Sequence, residues 1–271
     1  MDLEIWTDNN PAIKEYIGEF FGFFVGYRGT PFYIGGCIMQ EVAKGYLIED
    51  DNVRILFTNR TVDAKNTTDV KNLCEDYSFN YDNLMYNTQV HGANVRVIKT
   101  IDSKKNNEEK ADGLVTSLKN VPLLIFTADC VPLVFYDKEK AVVALAHAGW
   151  RGTYDNIAEE IIEVLVNDYN CRKENIKVII GPSVSGDSYE VSYELVEKFA
   201  VHKIDNYYKK CGDKYYLDLW IINKGLLKRA GILDKNITLT NFCTVKDNNQ
   251  FFSYRLDNAT TKRIGTFIEL K

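Results

Sequence analysis

The 271-residue chain carries 33 Lys plus Arg against 38 Asp plus Glu, a formal charge of -5, which excludes the global basic field that draws nucleic acid and points to a small-molecule partner. Apolar residues make up 45% of the chain, and with no repeat, low-complexity tract or Pro-rich linker, residues 1–271 read as a single domain with a substantial core. Six cysteines, at 37, 74, 130, 171, 211 and 243, form no C-x-x-C pair, the start MDLEIWTDNNPAIKEY is too acidic and polar for an export signal, and FFGFFVGY is too short to span a bilayer, so a cytoplasmic protein with free thiols and no membrane partner is expected.

In chain order, residues 1 to 52 hold an aromatic cluster (Phe20, Phe21, Phe23, Phe24, Tyr27) among many glycines and suggest strands and turns without chemistry. Val53 to Thr58 reads as a strand running into Arg60, and Thr67 to Tyr77 as a short helix with Val70, Leu73 and Tyr77 on one face. Leu84 to Val90 and Asn94 to Ile98 read as two extended runs around His91-Gly92-Ala93, a hairpin in which Gly92 takes the unusual backbone angles. The charged run Asp102 to Lys110 is expected to be an exposed loop. Ala111 to Thr116 is strand-like, and three short apolar runs follow: LLIF, LVFY and VVALA, read as buried strands joined by tight turns. Tyr154 to Tyr169 has the clearest helical period, and its N-terminus is expected to face Gly149-Trp150-Arg151-Gly152, where an arginine beside a helix start would suit an anion. Ile176 to Ile180 is a strand ending in the loop GPSVSGDSYEV, which could line a pocket. Ser192 and Asp218 read as N-caps, Leu219, Ile222, Leu226 and Ala230 as a buried stripe stopped by Gly231, and Ile264 to Leu270 as the last strand.

Only three histidines are present, so their placement is informative. His91 and His147 fall at turns beside Gly or Ala, and Cys130 sits between two apolar runs. Small neighbours at all three leave room for a metal and a substrate, and two imidazoles with one thiolate give three protein ligands and one open position, the pattern of a catalytic zinc site. A single copper ion suits the same trio, whereas a multicopper oxidase would need roughly ten imidazoles. A metal-free reading makes Cys130 a nucleophile and His147 its base, as in cysteine hydrolases. Asp129 reads as an acid or base beside the metal or as a turn cap; Arg60, Arg151 and Arg255 as phosphate binders or as members of ion pairs. Asp112 is expected to order backbone, and His202 to be structural.

QVHG (Gln89 to Gly92), TADCVPL (Thr127 to Leu133), AHAGWRGT (Ala146 to Thr153), GPS and YEV within Gly181 to Val191, Cys243-Thr244 and FFSYR (Phe251 to Arg255) resemble, in order, the signature blocks of the YfiH-like family, long labelled laccase-domain or polyphenol oxidase. The resemblance runs from about Phe57 to the C-terminus; residues 1 to 52 do not match. It implies a mixed α/β (α+β) fold of several layers, sheets flanked by helices, related to the toxin cysteine deamidases. It also implies a zinc-dependent purine nucleoside phosphorylase acting on adenosine, inosine and methylthioadenosine, with adenosine deaminase activity. By that resemblance His91, Cys130 and His147 match the metal ligands, and Arg60, in LFTNR, matches the arginine of the family's F-[ST]-T-R segment. TVDAKN (Thr61 to Asn66) departs from the glycines and serine that follow there. The rival readings are a hydrolase or amidase acting on cell-wall precursors, a copper-dependent phenol oxidase, and a non-catalytic metal-binding module.

Overall fold

A computed structural model of the chain describes residues 31–34, 36–101 and 108–271. The aromatic cluster between Phe20 and Tyr27 lies outside the described residues, as does most of the charged run; its described end, 108–110, is exposed. The first sheet is built from β1 (Phe32–Ile34), β2 (Cys37–Val42), β3 (Gly45–Asp50) and β4 (Val53–Thr58), an antiparallel meander closed by β15 (Ile264–Leu270) and β7 (Leu123–Thr127), in the order β1-β2-β3-β4-β15-β7. The second uses β5 (Val95–Ile98), β6 (Gly113–Thr116), β8 (Val131–Asp137), β9 (Val142–Ala148), β10 (Lys177–Ile180) and β14 (Ile237–Leu239), in the order β14-β10-β8-β9-β6-β5. A small third sheet joins β11 (Glu190–Val191), β13 (Lys214–Leu217) and β12 (Tyr208–Cys211). Among the described residues the α-helices are α1 (Thr67–Asp76), α2 (Trp150–Tyr154), α3 (Ile157–Tyr169), α4 (Tyr193–Phe199) and α5 (Leu219–Arg229).

The strand period of two explains the layering. On β9, Val142, Ala144, Ala146 and Ala148 face a cluster with Ile157, Ile161, Ile162 and Leu165 of α3 and Leu219, Ile222 and Leu226 of α5. The intervening Val143 and Leu145 face Ile55, Phe57, Ile125 and Ile268 of the first sheet. The outer face of the first sheet, Leu56, Leu124, Phe126 and Phe267, packs on Val70, Leu73 and Cys74 of α1. Four layers result: helix, sheet, sheet, helices. Both sheets are covered on both sides, so β6 to β9 are buried along their full length and read as continuous apolar runs. This is the mixed, multilayer α+β architecture expected from the sequence.

Two local expectations are corrected. Residues 84–90 make only isolated bridges, Met85 to Leu123 and Thr88 to Lys110, while β5 pairs in parallel with β6; no hairpin forms around Gly92, and the positive φ there, 61°, belongs to His91. The three apolar runs are buried strands joined by turns, as read, and they divide between the sheets: β7 belongs to the first, β8 and β9 to the second, so the Ala128-Asp129-Cys130 turn crosses between layers. The helix after Gly149 is broken, because Asn156 adopts φ 60° and ψ 48°, a conformation that Asn tolerates better than most residues. The five-residue α2 therefore follows Gly149, and the long α3 begins only at Ile157. That removes the start of a long helix from the 149–152 turn.

Candidate metal centre

The centre is assembled where the second sheet ends. The β8–β9 register pairs Pro132 with His147 and Val131 with Ala148, so the next step of the ladder sets Cys130 beside Gly149. His147 shares the parity of Val143 and Leu145 and so faces the gap between the sheets, where it is buried (2% exposed). His91 enters from the loop before β5. One ligand atom each from His91, Cys130 and His147 lies within 4.8 Å of the others, and the two rings meet edge to face at 4.8 Å. His91 is exposed and Cys130 intermediate, so the trio is open to solvent on the His91 side.

Asp112, fully buried and one residue before β6, holds the two histidines in place. Its Oδ1 accepts from His91 N at 3.0 Å and pairs with His147 Nδ1 at 2.7 Å; its Oδ2 accepts from Val90 N at 3.1 Å and Gly92 N at 2.8 Å. Three successive backbone N–H groups on one carboxylate hold the 90–92 turn in the left-handed conformation that His91 would otherwise resist. With Nδ1 tied to Asp112, His147 is left with Nε2 as the atom it could offer a metal. Burial opposes charge on both Cys130 and His147, but their mutual attraction and hydrogen bonds win: the thiol falls to about 6 and the imidazole rises to about 9. Asp112 itself is held below its ordinary value although burial raises it, because His147 and the backbone donors stabilise the carboxylate.

Two glycines keep the centre compact. A Cβ on Gly149 would lie 3.0 Å from Cys130 Sγ and 3.5 Å from a carbon of the His91 ring. On Gly152 it would lie 3.0 Å from the Gly92 carbonyl oxygen and 3.1 Å from that of His147. The donor set of one thiol near its ionised form and two imidazoles, one locked in tautomer by a buried carboxylate, fits a zinc ion with a fourth position open to the exposed side. Copper(I) is also compatible with these donors.

Asp129, with φ 85°, adjoins the ligand thiol, and both its carboxylate oxygens are engaged: Oδ1 accepts from Thr244 Oγ1 at 2.6 Å and Oδ2 from Arg255 N at 2.8 Å. Its carbonyl accepts from Val184 N at 3.0 Å. Asp129 thereby fastens three loops, 181–189, 243–244 and 253–257, around Cys130. The Arg255 guanidinium lies 4.5 Å from the centroid of the Tyr189 ring, and among the described residues it has no carboxylate in ion-pair contact. Burial and the charge of Cys130 push the Tyr189 hydroxyl up to about 12 against the pull of Arg255. Arg60 donates to the carbonyl and side chain of Asn248 and pairs with Asp257 at 3.4 Å. Arg151 is exposed and stacks 4.3 Å over Trp150. His202 lies edge-on to Tyr154 at 5.5 Å and against the Phe199 ring at 5.8 Å. Sequence reasoning missed the tie from Asp112 to His147, whose signal is a carboxylate leading a fully buried strand, and gave Tyr189 no role although it opens the YEV block, because its partner Arg255 is 66 positions later.

Residues 59–271 match the family model described as multi-copper polyphenol oxidoreductase laccase. The chain is 30% identical over 280 residues to purine nucleoside phosphorylase YlmD of Bacillus subtilis, with 99% of this chain and 94% of that protein covered. It is 37% identical over 174 residues to purine nucleoside phosphorylase SERP0752 of Staphylococcus epidermidis, a match spanning 63% of this chain and 64% of that protein's length. Its fold superposes on the crystal structure of the Bacillus licheniformis hypothetical protein YfiH with a TM-score of 0.80 at 24% identity, covering 86% of this chain and 99% of that one. For YlmD from Geobacillus stearothermophilus the TM-score is 0.77 at 25% identity, with 86% and 98% covered. Extent of match, fold and the ordered signature blocks agree: the chain belongs to the YfiH-like family, whose model bears the polyphenol oxidoreductase laccase name.

Proposed function

We propose that the chain is a zinc-dependent purine nucleoside phosphorylase that cleaves adenosine and inosine, and methylthioadenosine, with phosphate. The observation that carries this reading is the convergence of His91, Cys130 and His147 into three ligands with one side open, next to Arg255, whose guanidinium lies over Tyr189 and has no carboxylate in ion-pair contact among the described residues. The names of the B. subtilis and S. epidermidis relatives support the same reaction. In phosphorolysis a phosphate oxygen bonds C1′ of the ribose, the bond from C1′ to the purine breaks, and its electron pair leaves with the base. His91, Cys130 and His147 would hold a zinc ion, which when bound would supply Lewis-acid charge for the phosphate. Arg255, kept flat by Tyr189 and anchored at its backbone by Asp129, adds a rigid cationic fork for the same anion. Arg60 and Arg151 are assigned outer roles around it, Arg60 sharing its donors with Asn248 and Asp257. The Tyr189 hydroxyl, kept protonated, would donate its proton to the departing base. Asp129 acts through the loops it fastens, as a positioning residue. Hydrolytic deamination of adenosine is assigned to the same centre.

The test is release of hypoxanthine from inosine by the purified chain with and without phosphate, before and after chelation. Phosphate-dependent release that chelation removes and zinc restores supports the proposal; phosphate-independent release refutes it. A second reading draws on the Cys130, His147 and Asp112 array, which is also the geometry of a cysteine nucleophile with an oriented base. Activity on an amide that survives chelation and is lost on thiol alkylation would favour it. The three histidines of the chain fall far short of the roughly ten imidazoles of a multicopper oxidase, which separates the site from the family's inherited name.

A further inference from the structure

Asp112 holds the backbone of His91 against His147; a second side chain ties it to the segment that carries Cys130. β7 is the outermost strand of the first sheet, so the backbone groups along its free edge need partners from elsewhere. Met85 supplies the first: its N–H donates to the Pro122 carbonyl at 2.8 Å, and its carbonyl accepts from Leu124 N at 2.9 Å. Two residues further along β7, Phe126 presents its N–H and C=O to the same edge, but by then the 85–92 segment has crossed to the second sheet. There Asn87 Nδ2 donates to the Gly113 carbonyl at 3.0 Å, Thr88 N donates to that of Glu109 at 3.0 Å, and Asp112 gathers the N–H groups of 90–92.

The half-buried Gln89 side chain fills the gap. Its Nε2 donates to the Phe126 carbonyl at 2.9 Å and its Oε1 accepts from Phe126 N at 2.8 Å, so one carboxamide replaces the rung that a neighbouring strand would have made. A carboxamide suits this task because it offers a donor and an acceptor side by side, as a peptide group does; a carboxylate lacks the donor and an apolar side chain lacks both. The two bonds link a segment anchored on the second sheet to the edge of the first, and they join two ligand-bearing stretches. Gln89 is two residues before His91, and Phe126 is four before Cys130, at the strand end from which the 128–130 turn departs. On its other side β7 is held by pairing with β15, so the rung fastens the His91 loop to a rigid frame.

We propose that Gln89 is a positioning residue of the metal centre: its amide sets the spacing between the loop of His91 and the turn of Cys130, as Asp112 sets that between His91 and His147. Ligand groups must be held to within about 0.5 Å of their working geometry, and ligands on three separate segments meet that demand only when the segments are tied to one another. His91 needs the tie most. It stands four residues before β5, at a positive φ, whereas Cys130 adjoins β8 and His147 lies within β9. The inference rests on the trio being a metal centre and not on the reaction carried out there.

Chelator competition for zinc and the absorption spectrum of the cobalt(II)-loaded full chain, in wild type, Gln89→Met, Gln89→Glu and Asn83→Ala, test the role without turnover. Methionine matches the length of Gln89 and makes neither bond. Glutamate keeps the acceptor for Phe126 N–H and loses the donor, and stands in should Gln89→Met not fold. Asn83, whose Nδ2 donates to the Asn120 carbonyl at 3.0 Å, ties the same stretch of chain to the approach to β7, at the end away from Cys130, and so reports what a merely structural bond contributes. Zinc affinity is expected to fall by about tenfold or more in both Gln89 variants, and to stay within about twofold of wild type in Asn83→Ala. The thiolate-to-cobalt charge-transfer band should weaken in the Gln89 variants alone. Unchanged affinity and cobalt spectrum in Gln89→Met, or an equal fall in Asn83→Ala, overturn the proposal. A wild type that binds neither metal overturns the metal reading together with it. Metal binding that depends on Gln89 in a chain that does not phosphorolyse inosine leaves the role of Gln89 standing and removes the phosphorylase reading.

Discussion

Replacing Asp112 by asparagine separates the support of the centre from its ligands. In the wild type all four donors around the carboxylate are matched: Val90 N and Gly92 N on one oxygen, His91 N and His147 Nδ1 on the other. An amide can match only one of these pairs, because its NH2 faces N–H groups whichever way it is turned. Two buried or half-buried donors lose their acceptor, at about 1–3 kcal/mol each, and the exposure of His91 places the sum near the lower end, about 2–3 kcal/mol. The loss of tautomer control on His147 adds a functional cost, since removing such a partner lowers metal affinity by about 10–100-fold. Chelator competition for zinc and urea unfolding of the same Asp112→Asn preparation measure the two effects. Zinc affinity within about threefold of wild type, with stability changed by no more than about 0.5 kcal/mol as at an ordinary surface site, would refute this account of Asp112.

Gly149→Ala isolates a steric effect: φ −64° and ψ 177° accept alanine, so only the 3.0 Å approach of its Cβ to Cys130 Sγ is disturbed, and zinc affinity should fall by about tenfold with little change in unfolding midpoint. Tyr189→Phe should lower kcat for phosphorolysis by about tenfold or more while leaving zinc content unchanged; equal kcat would remove the hydroxyl from the mechanism. Far from the centre, Asp50 accepts from Tyr136 at 2.9 Å, Lys138 at 2.7 Å and Lys177 at 2.9 Å, and these donors hold its carboxyl well below the ordinary 3.8 although burial alone raises it. A depressed folded value stabilises fully above the unfolded value and is lost as pH falls through the folded one. Stability should therefore drop with acidification below about 3.8, and urea unfolding across that range should show a shallower acid limb in Asp50→Asn, which starts less stable at neutral pH.

The elements legible in the sequence are those with a local period or cap. β4 and β15 match the strands read from VRILFT and IGTFIEL, and the α5 N-cap at Asp218 and stop at Gly231 were readable because capping is a contact between near neighbours. The grouping of His91, Cys130 and His147 was legible because histidine is so scarce here and because the flanking blocks are specific. What escaped depends on pairing between distant segments. The step from β7 in one sheet to β8 in the other leaves no trace in LLIFTADCVPLVFY, where both strands are apolar on both faces. The break at Asn156 is masked because Tyr154 keeps the helical spacing with Ile157 and Ile161. The roles of Asp129 and Asp112 differ from those of turn aspartates for the same reason: their partners, Thr244 and Arg255 for one and His147 for the other, are brought in only by the tertiary fold.

The proposed zinc centre of His91, Cys130 and His147 would supply the charge that favours phosphate attack on a nucleoside. Its most direct test is metal analysis of wild type and Cys130→Ala purified without added metal, paired with phosphate-dependent release of hypoxanthine from inosine in the same samples. Close to one zinc per wild-type chain and phosphate-dependent turnover are expected, with both lost in Cys130→Ala. Unchanged phosphorolysis in Cys130→Ala, or copper with oxygen uptake on phenols in place of nucleoside cleavage, would contradict it.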